Sequence, residues 1–496
     1  MYYLRPKKIP ISVGNKYIAL LNSNTAHILD LHPADRIYLK NAPNEVIAIL
    51  DISVSHDLKD GEIGLYMETW KKLGVVPGDR RVSAEIAERP KSILYIREKL
   101  DGKKLSAKEM DTIVKDIVAE KLSEVEMTYF VSACFCHGMT DEETVDLTKA
   151  IVNNGGRLKF KDKIIVDKHC IGGVPGNRST MLAVPIMVSL GMRMPKTSSR
   201  AITSPAGTAD TMEVLANVTN NAKKLMKIAN KVGGFISWGG GVDIAGADDK
   251  LIKVRNPMSL DPQGMLLASI LAKKHAVSAT HVLIDIPYGP DVKVKNPKEA
   301  EPLKKKFVKI GGMLGMKVHV VFSDGSQPIG NGIGPVLEAL DVLKVLKNEA
   351  DAPKDLLKKT VWLCGIMLEM TGKATNAKVG EKMAMEAVKS GKAYRKFEEI
   401  INAQGRNKKP LTVGKLTYDV KAPKAGKVVY INNKLIARYA RLAGAPINPG
   451  SGMYIYKKKG DIVKKGDVLF TLYTENKARL SNVLDYLKVL DVYHIK

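Results

Sequence analysis

Two consecutive segments of the chain each join a short apolar strand pattern, a glycine-containing loop and a helix pattern. In the first, residues 163–167 lead through a loop into a predicted helix over residues 179–190. In the second, residues 192–196 lead through a loop into a predicted helix over residues 210–218. Strand–loop–helix units in succession are typical of α/β proteins, because each helix covers a face of the sheet. The repeat predicts a central α/β domain, which we place at residues 161–403.

The same alternation continues along the chain. Strand patterns at residues 278–286 and 317–322 alternate with helix patterns at residues 263–275 and 335–347. Helices continue to about residue 403. The overall prediction is a multidomain α/β protein.

The C-terminal region is predicted to be a separate domain. The polar stretch 404–410 has the composition of a linker. Beyond it, residues 420–430 and 459–470 have the pattern of β-hairpins with glycine turns. We therefore expect a small α+β domain over residues 411–496.

Residues 1–84 contain an approximate internal repeat. Residues 31–37 read Leu-His-Pro-Ala-Asp-Arg-Ile, and residues 75–82 read Val-Val-Pro-Gly-Asp-Arg-Arg-Val. Each copy puts a Pro-x-Asp-Arg turn in front of a strand pattern, which predicts a small pseudo-symmetric β-barrel. The repeat is similar to that of double-psi β-barrels.

Residues 85–160 have helical periodicity. Three Ser/Thr-x-x-Glu patterns in this region predict helix N-termini with reciprocal capping bonds, namely Ser106 with Glu109, Ser123 with Glu126, and Thr140 with Glu143. We expect a helical domain here, joined by further helices that return from the central region.

The net charge of the chain limits the classes of binding partner only in part. Its 496 residues include 78 Lys+Arg and 52 Asp+Glu, which leaves a formal net charge of +26. Such an excess of positive charge suits the binding of nucleic acid, anionic lipid or phosphorylated small molecules. It is also explained by a lysine-rich surface that binds none of these. The lysines are scattered and aromatic residues make up only 6%, whereas nucleic-acid modules cluster basic and aromatic residues. We expect no nucleic-acid partner.

Location and metal content are predicted from absences in the sequence. Apolar runs are too short to cross a bilayer, and four cysteines cannot form a disulfide framework in so long a chain. The segment 134–137, Cys-Phe-Cys-His, lies in an apolar stretch without a second ligand cluster. We therefore expect a cytoplasmic protein with reduced thiols, no membrane partner, no metal and no cofactor.

The two central loops carry residues that suit anion binding. Glycines let an anion approach the backbone, and the N–H groups at a helix N-terminus face it. Lys168 and Ser179 add a charge and a hydroxyl to the first loop. Five hydroxyls and one guanidinium lie within eleven residues of the second, at Ser198, Ser199, Arg200, Thr203, Ser204 and Thr208. Either loop alone could be a plain βα turn, and neither is a Walker A or Rossmann motif. Together they predict a site for two phosphates, or for one phosphate beside a polyhydroxylated ligand.

Both loops resemble one enzyme family. Residues 167–180 read Asp-Lys-His-Cys-Ile-Gly-Gly-Val-Pro-Gly-Asn-Arg-Ser-Thr, which resembles the Asp-Lys-His-Ser-x-Gly-Gly-Val loop of thymidine and pyrimidine nucleoside phosphorylases. Residues 199–213 resemble the same family's Ser-Gly-Arg and Gly-Gly-Thr-x-Asp signature. Residues 268–274 and 327–334 and the glycine turns of the C-terminal region add to the resemblance, which covers about residues 85–496.

Three departures resemble the archaeal AMP phosphorylases, a branch of this family. They are the extra N-terminal β domain, Cys170 in place of serine, and Ser-Ser-Arg-Ala-Ile-Thr-Ser-Pro-Ala-Gly-Thr in place of the glycine-rich signature. The resemblance implies phosphorolysis of nucleoside 5′-monophosphates, in which AMP and phosphate give adenine and ribose 1,5-bisphosphate. CMP and UMP are further candidate substrates. It also implies a homodimer, with further assembly through the C-terminal domains as an open alternative.

Site residues follow from the same resemblance. Lys168, Ser179 and Thr208 are expected to bind the attacking phosphate. The nucleotide is expected to contact Gly173, Ser199, Arg200, Ala201, Ile202, Thr203, Ser204, Thr208, Ser269 and Lys293. Thr208 belongs to both groups, so the boundary between the two phosphate pockets stays open.

Asp261 is the candidate acid that protonates the leaving base. A purine departs more easily once a ring nitrogen is protonated, and a carboxyl group in a closed cleft can donate near neutrality. The alternative is that Asp261, followed by Pro262, merely caps the helix predicted to begin near Gln263. Arg255 is a secondary candidate at the base. His169 could act in catalysis or be a packing residue.

Three other functions remain as alternatives. A thymidine or pyrimidine nucleoside phosphorylase shares the loop motifs. Anthranilate phosphoribosyltransferases share the helical and α/β plan but would require an acidic magnesium-pyrophosphate motif that the sequence lacks. An RNA-binding role would rest on the basic charge and the N-terminal barrel alone.

Overall fold

A computed structural model describes residues 2–14, 16–54, 57–79, 81–201, 204–242, 244, 246–258 and 260–496. These residues form two compact units. One unit comprises residues 1–98 and 115–129, and the other comprises residues 99–114 and 130–496.

The N-terminal region is a closed six-stranded β-barrel. Its strands follow one another around the barrel in the order β1-β5-β2-β4-β3-β6. The β1–β5 and β2–β4 pairs are parallel and the other pairs are antiparallel. The barrel confirms the predicted β-barrel-like domain. Its elements are β1 (Tyr2–Lys8), β2 (Ile18–Asn22), α1 (Ser23–Ile28), β3 (Arg36–Asn41), β4 (Asn44–Ser53), β5 (Glu62–Leu65), α2 (Met67–Lys72) and β6 (Val82–Ile86).

The internal repeat forms two equivalent turns. Asp35 accepts a hydrogen bond from the backbone N–H of His32 at 2.7 Å, and Asp79 accepts one from the backbone N–H of Val76 at 2.9 Å. Strand β3 begins directly after the first turn, and β6 begins shortly after the second. Arg80, the arginine of the second copy, lies outside the described residues.

Four helices follow the barrel, and the predicted capping bonds open three of them. The backbone N–H of Ser123 donates to Glu126 at 2.6 Å, and that of Thr140 donates to Glu143 at 2.8 Å. Ser106 and Glu109 make the same exchange. These bonds satisfy N–H groups that a helix start leaves unpaired. The helices are α3 (Ser92–Leu100), α4 (Ala107–Val118), α5 (Glu124–Cys136) and α6 (Asp141–Asn153).

The central region contains parallel strands covered by helices. Strands β11, β10 and β7 form one parallel sheet, and β8 and β9 form a parallel pair. A parallel bridge between Ile165 and Arg193 connects the two groups. The loops after β7 and β8 therefore lie at the carboxyl edge, where α/β proteins bind ligands.

The elements of the central region are, in chain order, β7 (Val166–Cys170), α7 (Ser179–Ser189), β8 (Met194–Ser198), α8 (Thr208–Glu213), α9 (Ala222–Val232), β9 (Gly234–Trp238), α10 (Gly246–Arg255), α11 (Gln263–Ala276), β10 (His281–Tyr288), α12 (Pro297–Met313), β11 (Lys317–Asp324), β12 (Gly332–Ile333), α13 (Pro335–Leu346), α14 (Lys354–Met370), α15 (Ala377–Lys389) and α16 (Lys392–Gln404). Helix α7 is buried along nearly its whole length, as expected for a helix that is apolar all round.

Two predictions in this region are wrong in detail. The helix predicted over residues 210–218 ends at Glu213, because the apolar residues after it are buried in an extended segment whose Val218 carbonyl accepts from Trp238 N–H. Gln404 is no linker residue. Its buried amide bonds to both backbone groups of Ile236 at 2.8 Å and to the carbonyl of Asn217 at 2.9 Å.

The C-terminal region contains two sheets, and its strand pairing corrects both predicted hairpins. Strand β13 pairs with β17, while β14 pairs with β16 and β18. Glycine turns indicate where the chain reverses but do not select the partner strand, which the shared core decides. The elements are β13 (Leu416–Lys421), β14 (Gly426–Ile431), α17 (Asn433–Leu442), β15 (Gly452–Ile455), β16 (Ile462–Val463), β17 (Val468–Thr474), α18 (Lys477–Tyr486), α19 (Val489–Val492) and β18 (Tyr493–Ile495).

The central region supplies one strand of the C-terminal sheet. Strand β12 pairs antiparallel with β15 through Gly332 with Tyr454 and Ile333 with Met453. Ile333 is buried in the same apolar core as Val420 and Phe470. The two regions are therefore joined by a continuous sheet as well as by the chain. Within the described residues, none of the helices has the length and apolar character that a bilayer crossing requires.

Candidate active site

A cavity of about 1230 Å³ lies between the two central loops and the C-terminal region. One side, which we call the α/β wall, consists of the ends of β7 and β8 with the loop 169–178 and residues 199–200 and 204–208 of the second loop. The opposite side, the C-terminal wall, consists of α17, the loop 444–447 and two residues of α18. Both predicted anion-binding loops thus open into one space.

Close backbone contacts explain a glycine in each loop. Gly173 has φ +95°, and a Cβ atom there would lie about 3.0 Å from Val292. At Gly207 a Cβ atom would lie 2.7 Å from the carbonyl oxygen of Ser199. A larger residue at Gly207 would push the two ends of the second loop apart, so this loop can close only around glycine.

Lys168 is buried at the back of the α/β wall, with its amino group among hydroxyls. Its Nζ donates to Ser179 Oγ at 2.7 Å, and Ser179 in turn donates to Asn177 Oδ1 at 2.8 Å. Burial lowers the pKa of Lys168, while the charge of Asp285 opposes that shift. Ser179 is fully buried and is not among the residues that line the cavity. It holds Lys168 in place, and Lys168 itself lines the cavity.

A network of buried lysines and aspartates supports Lys168. Asp167 is ion-paired with Lys196 at 3.1 Å and with Lys274 at 2.7 Å. Asp285 is ion-paired with Lys359 at 3.0 Å. Burial lowers the pKa of Lys196 to about 7, against the attraction of Asp167. Positive charge therefore exceeds negative charge behind the first loop.

His169 and Cys170 line the cavity beside these lysines. Burial and the neighbouring lysines hold the pKa of His169 well below its usual value, so its ring is neutral at pH 7. Burial raises the pKa of the Cys170 thiol, which keeps the thiol protonated. Cys170 therefore lacks the features of a reactive cysteine.

Asp210 organises the second loop. Its Oδ2 accepts hydrogen bonds from the backbone N–H groups of Ala201 at 2.7 Å and Gly207 at 2.8 Å. Its Oδ1 lies 3.3 Å from Arg200 Nη1. One carboxylate thus connects both ends of the loop to its arginine.

Arg200 is held from three sides. Its Nη2 donates to Glu213 Oε1 at 2.7 Å, and its guanidinium lies 4.9 Å above the ring of Trp238. The hydrogen bonds to Glu213 raise the pKa of Arg200. The predicted residues Ser199, Arg200, Ser204 and Thr208 line the cavity, whereas Ala201 is not among its lining residues. Ile202 and Thr203 lie outside the described residues.

Asp261 forms a separate charged group with two cations. Lys293 Nζ donates to its Oδ2 at 2.9 Å, and Arg255 Nη1 lies 3.3 Å from its Oδ1. Helix α11 begins at Gln263 with Pro262 at its N-cap and no side-chain capping bond, so the alternative role of Asp261 as a helix cap is wrong. Asp261 and Lys293 are not among the residues that line the cavity.

Ser269 belongs to a third group, which reaches the cavity through Lys273. Ser269 Oγ donates to Asp248 Oδ2 at 2.7 Å, and the Lys273 amino group contacts the same carboxylate. Lys273 lines the cavity and lies one helical turn after Ser269 on α11. Lys273 was not among the predicted site residues, although the i, i+4 spacing from Ser269 predicts a shared helix face.

None of the residues of the C-terminal wall was among the predicted site residues. Lys434, Arg438 and Arg441 line the cavity from α17, and Arg479 lines it from α18. Their helical spacing is visible in the sequence, but no local pattern shows that this face lies opposite the anion-binding loops.

Three parts of the chain match known domain families. Residues 94–155 match the helical bundle domain of the glycosyl transferase family, and residues 162–394 match the α/β domain of that family. Residues 427–494 match the pyrimidine nucleoside phosphorylase C-terminal domain. An AMP phosphorylase of Methanococcoides burtonii is 43% identical over 98% of this chain and 96% of its own length. The chain belongs to the pyrimidine nucleoside phosphorylase family.

Further members of the family are similar along the whole chain. An AMP phosphorylase of Methanococcus vannielii is 40% identical over 98% of this chain and 96% of its own. A putative thymidine phosphorylase of Legionella pneumophila strain Paris is 40% identical over 98% of this chain and 94% of its own. The predicted family resemblance is confirmed, and this phosphorylase family member is a pentosyltransferase.

Solved structures confirm the multidomain α/β fold. Anthranilate phosphoribosyltransferase from Thermus thermophilus has a TM-score of 0.53 at 19% identity, covering 62% of this chain and 98% of its own. The enzyme from Saccharomyces cerevisiae has a TM-score of 0.52 at 17% identity, covering 63% and 97%. At these identities the likeness concerns the fold alone. The residues that match these two structures make up less than two thirds of this chain.

Proposed function

We propose that the protein is a nucleoside 5′-monophosphate phosphorylase, which converts AMP and phosphate to adenine and ribose 1,5-bisphosphate. CMP and UMP are candidate further substrates. The observation that carries the proposal is the charge of the cavity. Among its lining residues within the described part of the chain, nine are lysine or arginine and one, Asp291, is acidic. A substrate pair with two phosphate groups suits such a cavity better than a nucleoside with one phosphate does.

The α/β wall is suited to hold the attacking phosphate. Lys168 brings a buried cationic group whose partners are neutral hydroxyls, so its charge remains available to an anion. Thr208 adds a hydroxyl at the first residue of α8. Fixing the phosphate beside C1′ of the ribose removes much of the entropic cost of a two-substrate reaction. A phosphate oxygen then bonds to C1′ while the bond from C1′ to the base breaks.

The departing base takes the electron pair of that bond and requires a proton. Asp261 remains our candidate for the acid. In the structure its carboxylate is ion-paired with Lys293 and Arg255. If Lys293 turns to the nucleotide, Asp261 loses one of these two partners. The predicted nucleotide contact of Lys293 and the acid role of Asp261 are therefore two parts of one hypothesis.

The proposal is tested by incubating purified protein with phosphate and either AMP or thymidine. We expect adenine and ribose 1,5-bisphosphate from AMP, separated and quantified by chromatography. Rapid release of thymine without adenine would contradict the proposal and support the alternative activity.

Asp261→Asn tests the acid. The variant keeps the shape of the side chain but has no proton of suitable acidity, so we expect turnover to fall at least about a hundredfold while AMP binding persists. Asp141→Asn, which removes a carboxylate that contacts Lys309 outside the cavity, is the matched control. Turnover of Asp261→Asn at the wild-type rate would remove Asp261 from the mechanism.

Thymidine phosphorolysis is the second candidate. The relative named putative thymidine phosphorylase, at 40% identity over nearly the full chain, supports it. Competition between AMP and thymidine for one enzyme sample gives the ratio of their kcat/KM values, and this ratio decides between the two activities.

A cytoplasmic homodimer is part of the proposal. The four cysteines are free thiols, which suits a reducing compartment. Light scattering coupled to size-exclusion chromatography tests the dimer. A monomer mass near 54.3 kDa would contradict it.

A further inference from the structure

Helix α17 has two chemically different faces. Ile436, Tyr439 and Ala440 are buried in the C-terminal core. Lys434, Arg438 and Arg441 lie at positions i, i+4 and i+7, which places them together on one side of a helix, and all three line the cavity. Arg479 joins them from α18. We call Lys434, Arg438 and Arg479 the basic face.

Cations on the two walls differ in their partners. On the α/β wall, Arg178 is ion-paired with the buried Glu338, as Lys196 is with Asp167. In the described chain no carboxylate lies within ion-pair distance of Lys434, Arg438 or Arg479. The guanidinium of Arg438 lies 5.8 Å over the ring of Tyr486, which orients it without neutralising it. The basic face therefore offers uncompensated charge to the cavity.

Asp291, the acidic residue of the lining, does not neutralise this charge. Its Oδ2 accepts hydrogen bonds from the hydroxyl of Tyr430 at 2.6 Å and from the backbone N–H of Asn433 at 3.2 Å. These bonds attach the start of α17 to the loop after β10. Asn433 Nδ2 adds a bond to the carbonyl of Gly325 at 2.8 Å. The basic face is thus fixed opposite the loops of the α/β wall.

The basic face is available to an anion other than the attacking phosphate. The attacking phosphate is already provided for by Lys168 and Thr208 across the cavity. A second phosphate needs its own donors, because two dianions in one pocket repel each other. Guanidinium groups match the oxygens of a phosphate monoester in paired hydrogen bonds, and lysine adds a mobile charge.

We propose that the basic face binds the 5′-phosphate of the nucleotide substrate. This inference rests on the proposed function and extends it, because it assigns the two phosphates to opposite walls. The contact distinguishes a nucleotide from a nucleoside. It also holds the same phosphate in the product, ribose 1,5-bisphosphate.

The test replaces the basic face with neutral residues in the variant Lys434→Gln/Arg438→Gln/Arg479→Gln. Each charge-assisted bond lost from a phosphate weakens binding by about tenfold or more. We expect KM for AMP to rise at least about thirtyfold, with KM for inorganic phosphate changed less than about threefold. The matched control is Lys421→Gln/Lys424→Gln/Lys465→Gln. It removes three exposed lysines from the same region but outside the cavity, and it should keep wild-type values.

Each outcome is decisive. A rise in KM for phosphate rather than AMP would assign the basic face to the attacking phosphate and overturn the inference. An unchanged KM for AMP, or an equal change in the control variant, would also overturn it. Wild-type protein that releases no adenine from AMP contradicts the proposed function instead. In that case direct titration of wild type and variant with AMP still tests the face, and equal affinities reject it. Circular dichroism of each variant shows whether it is folded.

Discussion

On the α/β wall of the cavity, Lys196 is 5% exposed and ion-paired with Asp167, whereas on the C-terminal wall Lys434 and Arg438 are exposed to the cavity. Burying a charge costs several kcal/mol unless partners compensate, so the lysines behind the first loop exist only within their network. The exposed cations need no such support. The positive charge of the cavity is therefore of two kinds, namely buried lysines that an ion-pair network supports and exposed cations that need no such network.

The two walls can therefore make different contributions to catalysis. A buried and hydrogen-bonded cation is fixed before the ligand arrives and is little screened by salt. An exposed arginine or lysine attracts anions over a longer distance but gives a less exact position. We expect the α/β wall to control turnover and the C-terminal wall to control capture of the nucleotide.

Lys168→Met is the most severe test of this contrast. The variant removes the buried charge but retains the apolar stem, and we expect kcat/KM for phosphate to fall about a thousandfold. Steady-state kinetics with phosphate as the varied substrate measure it. Lys424→Met controls for the loss of one lysine. A decrease of less than about tenfold would mean that the buried lysine does not face the phosphate.

Asp210→Asn addresses the second loop. The carboxylate accepts from two backbone N–H groups and faces Arg200, and an amide cannot replace all of these contacts. We expect kcat/KM for AMP to fall about thirtyfold to a hundredfold. Glu213→Gln, which alters only the outer contact of Arg200, should cost less. If both variants lose activity equally, Arg200 rather than the loop backbone is the sensitive element.

The dependence of KM on salt concentration should distinguish the contributions of the two walls in the wild-type protein. Between about 0.05 M and about 0.5 M sodium chloride, screening weakens exposed charges more than buried ones. We therefore expect KM for AMP to rise roughly threefold to tenfold and KM for phosphate to rise less. Initial rates at matched pH measure both. Parallel increases would show that the two walls are equally accessible to salt ions.

The pH dependence of stability should show the smallest effect. The folded protein holds the pKa of Lys196 at about 7, while the unfolded chain keeps this lysine protonated to about pH 10. Between these values the unfolded state binds more protons, so stability rises with pH. Relative to Lys196→Met, the wild-type Tm should rise by about 2–4 °C from about pH 7 to about pH 10. A difference in Tm that is constant with pH would contradict this assignment.

Features with local causes could be predicted from the sequence. The capping pairs such as Thr140 with Glu143 and the repeated turn at Asp35 and Asp79 involve residues three positions apart, and all form as expected. The strand-loop-helix units also follow from local periodicity. The first loop is positioned by that alternation, so its place at the carboxyl edge of the sheet could be predicted too.

Features that depend on contacts between residues far apart in the sequence could not be predicted. The partner of β13 is β17, some fifty residues away, and glycine turns carry no information about that choice. Gln404 looks like linker because its partners, Ile236 and Asn217, are distant in sequence. The helix α17 of the C-terminal wall has an ordinary amphipathic pattern, and the function of its basic side depends on the loops that lie opposite it in the fold. The pairing of Asp261 with Lys293 and Arg255 is equally invisible before the chain is folded.

The strand β12 has a consequence for dissecting this protein. Because Gly332 and Ile333 complete a sheet whose other strands come from residues 416–474, neither region has all of its main-chain partners without the other. Cutting the backbone between residues 406 and 415 should leave the two fragments associated through this strand. Expressing either fragment alone would expose an unpaired sheet edge, which invites aggregation. The segment that resembles a domain boundary in sequence is thus a poor place to divide the protein for expression.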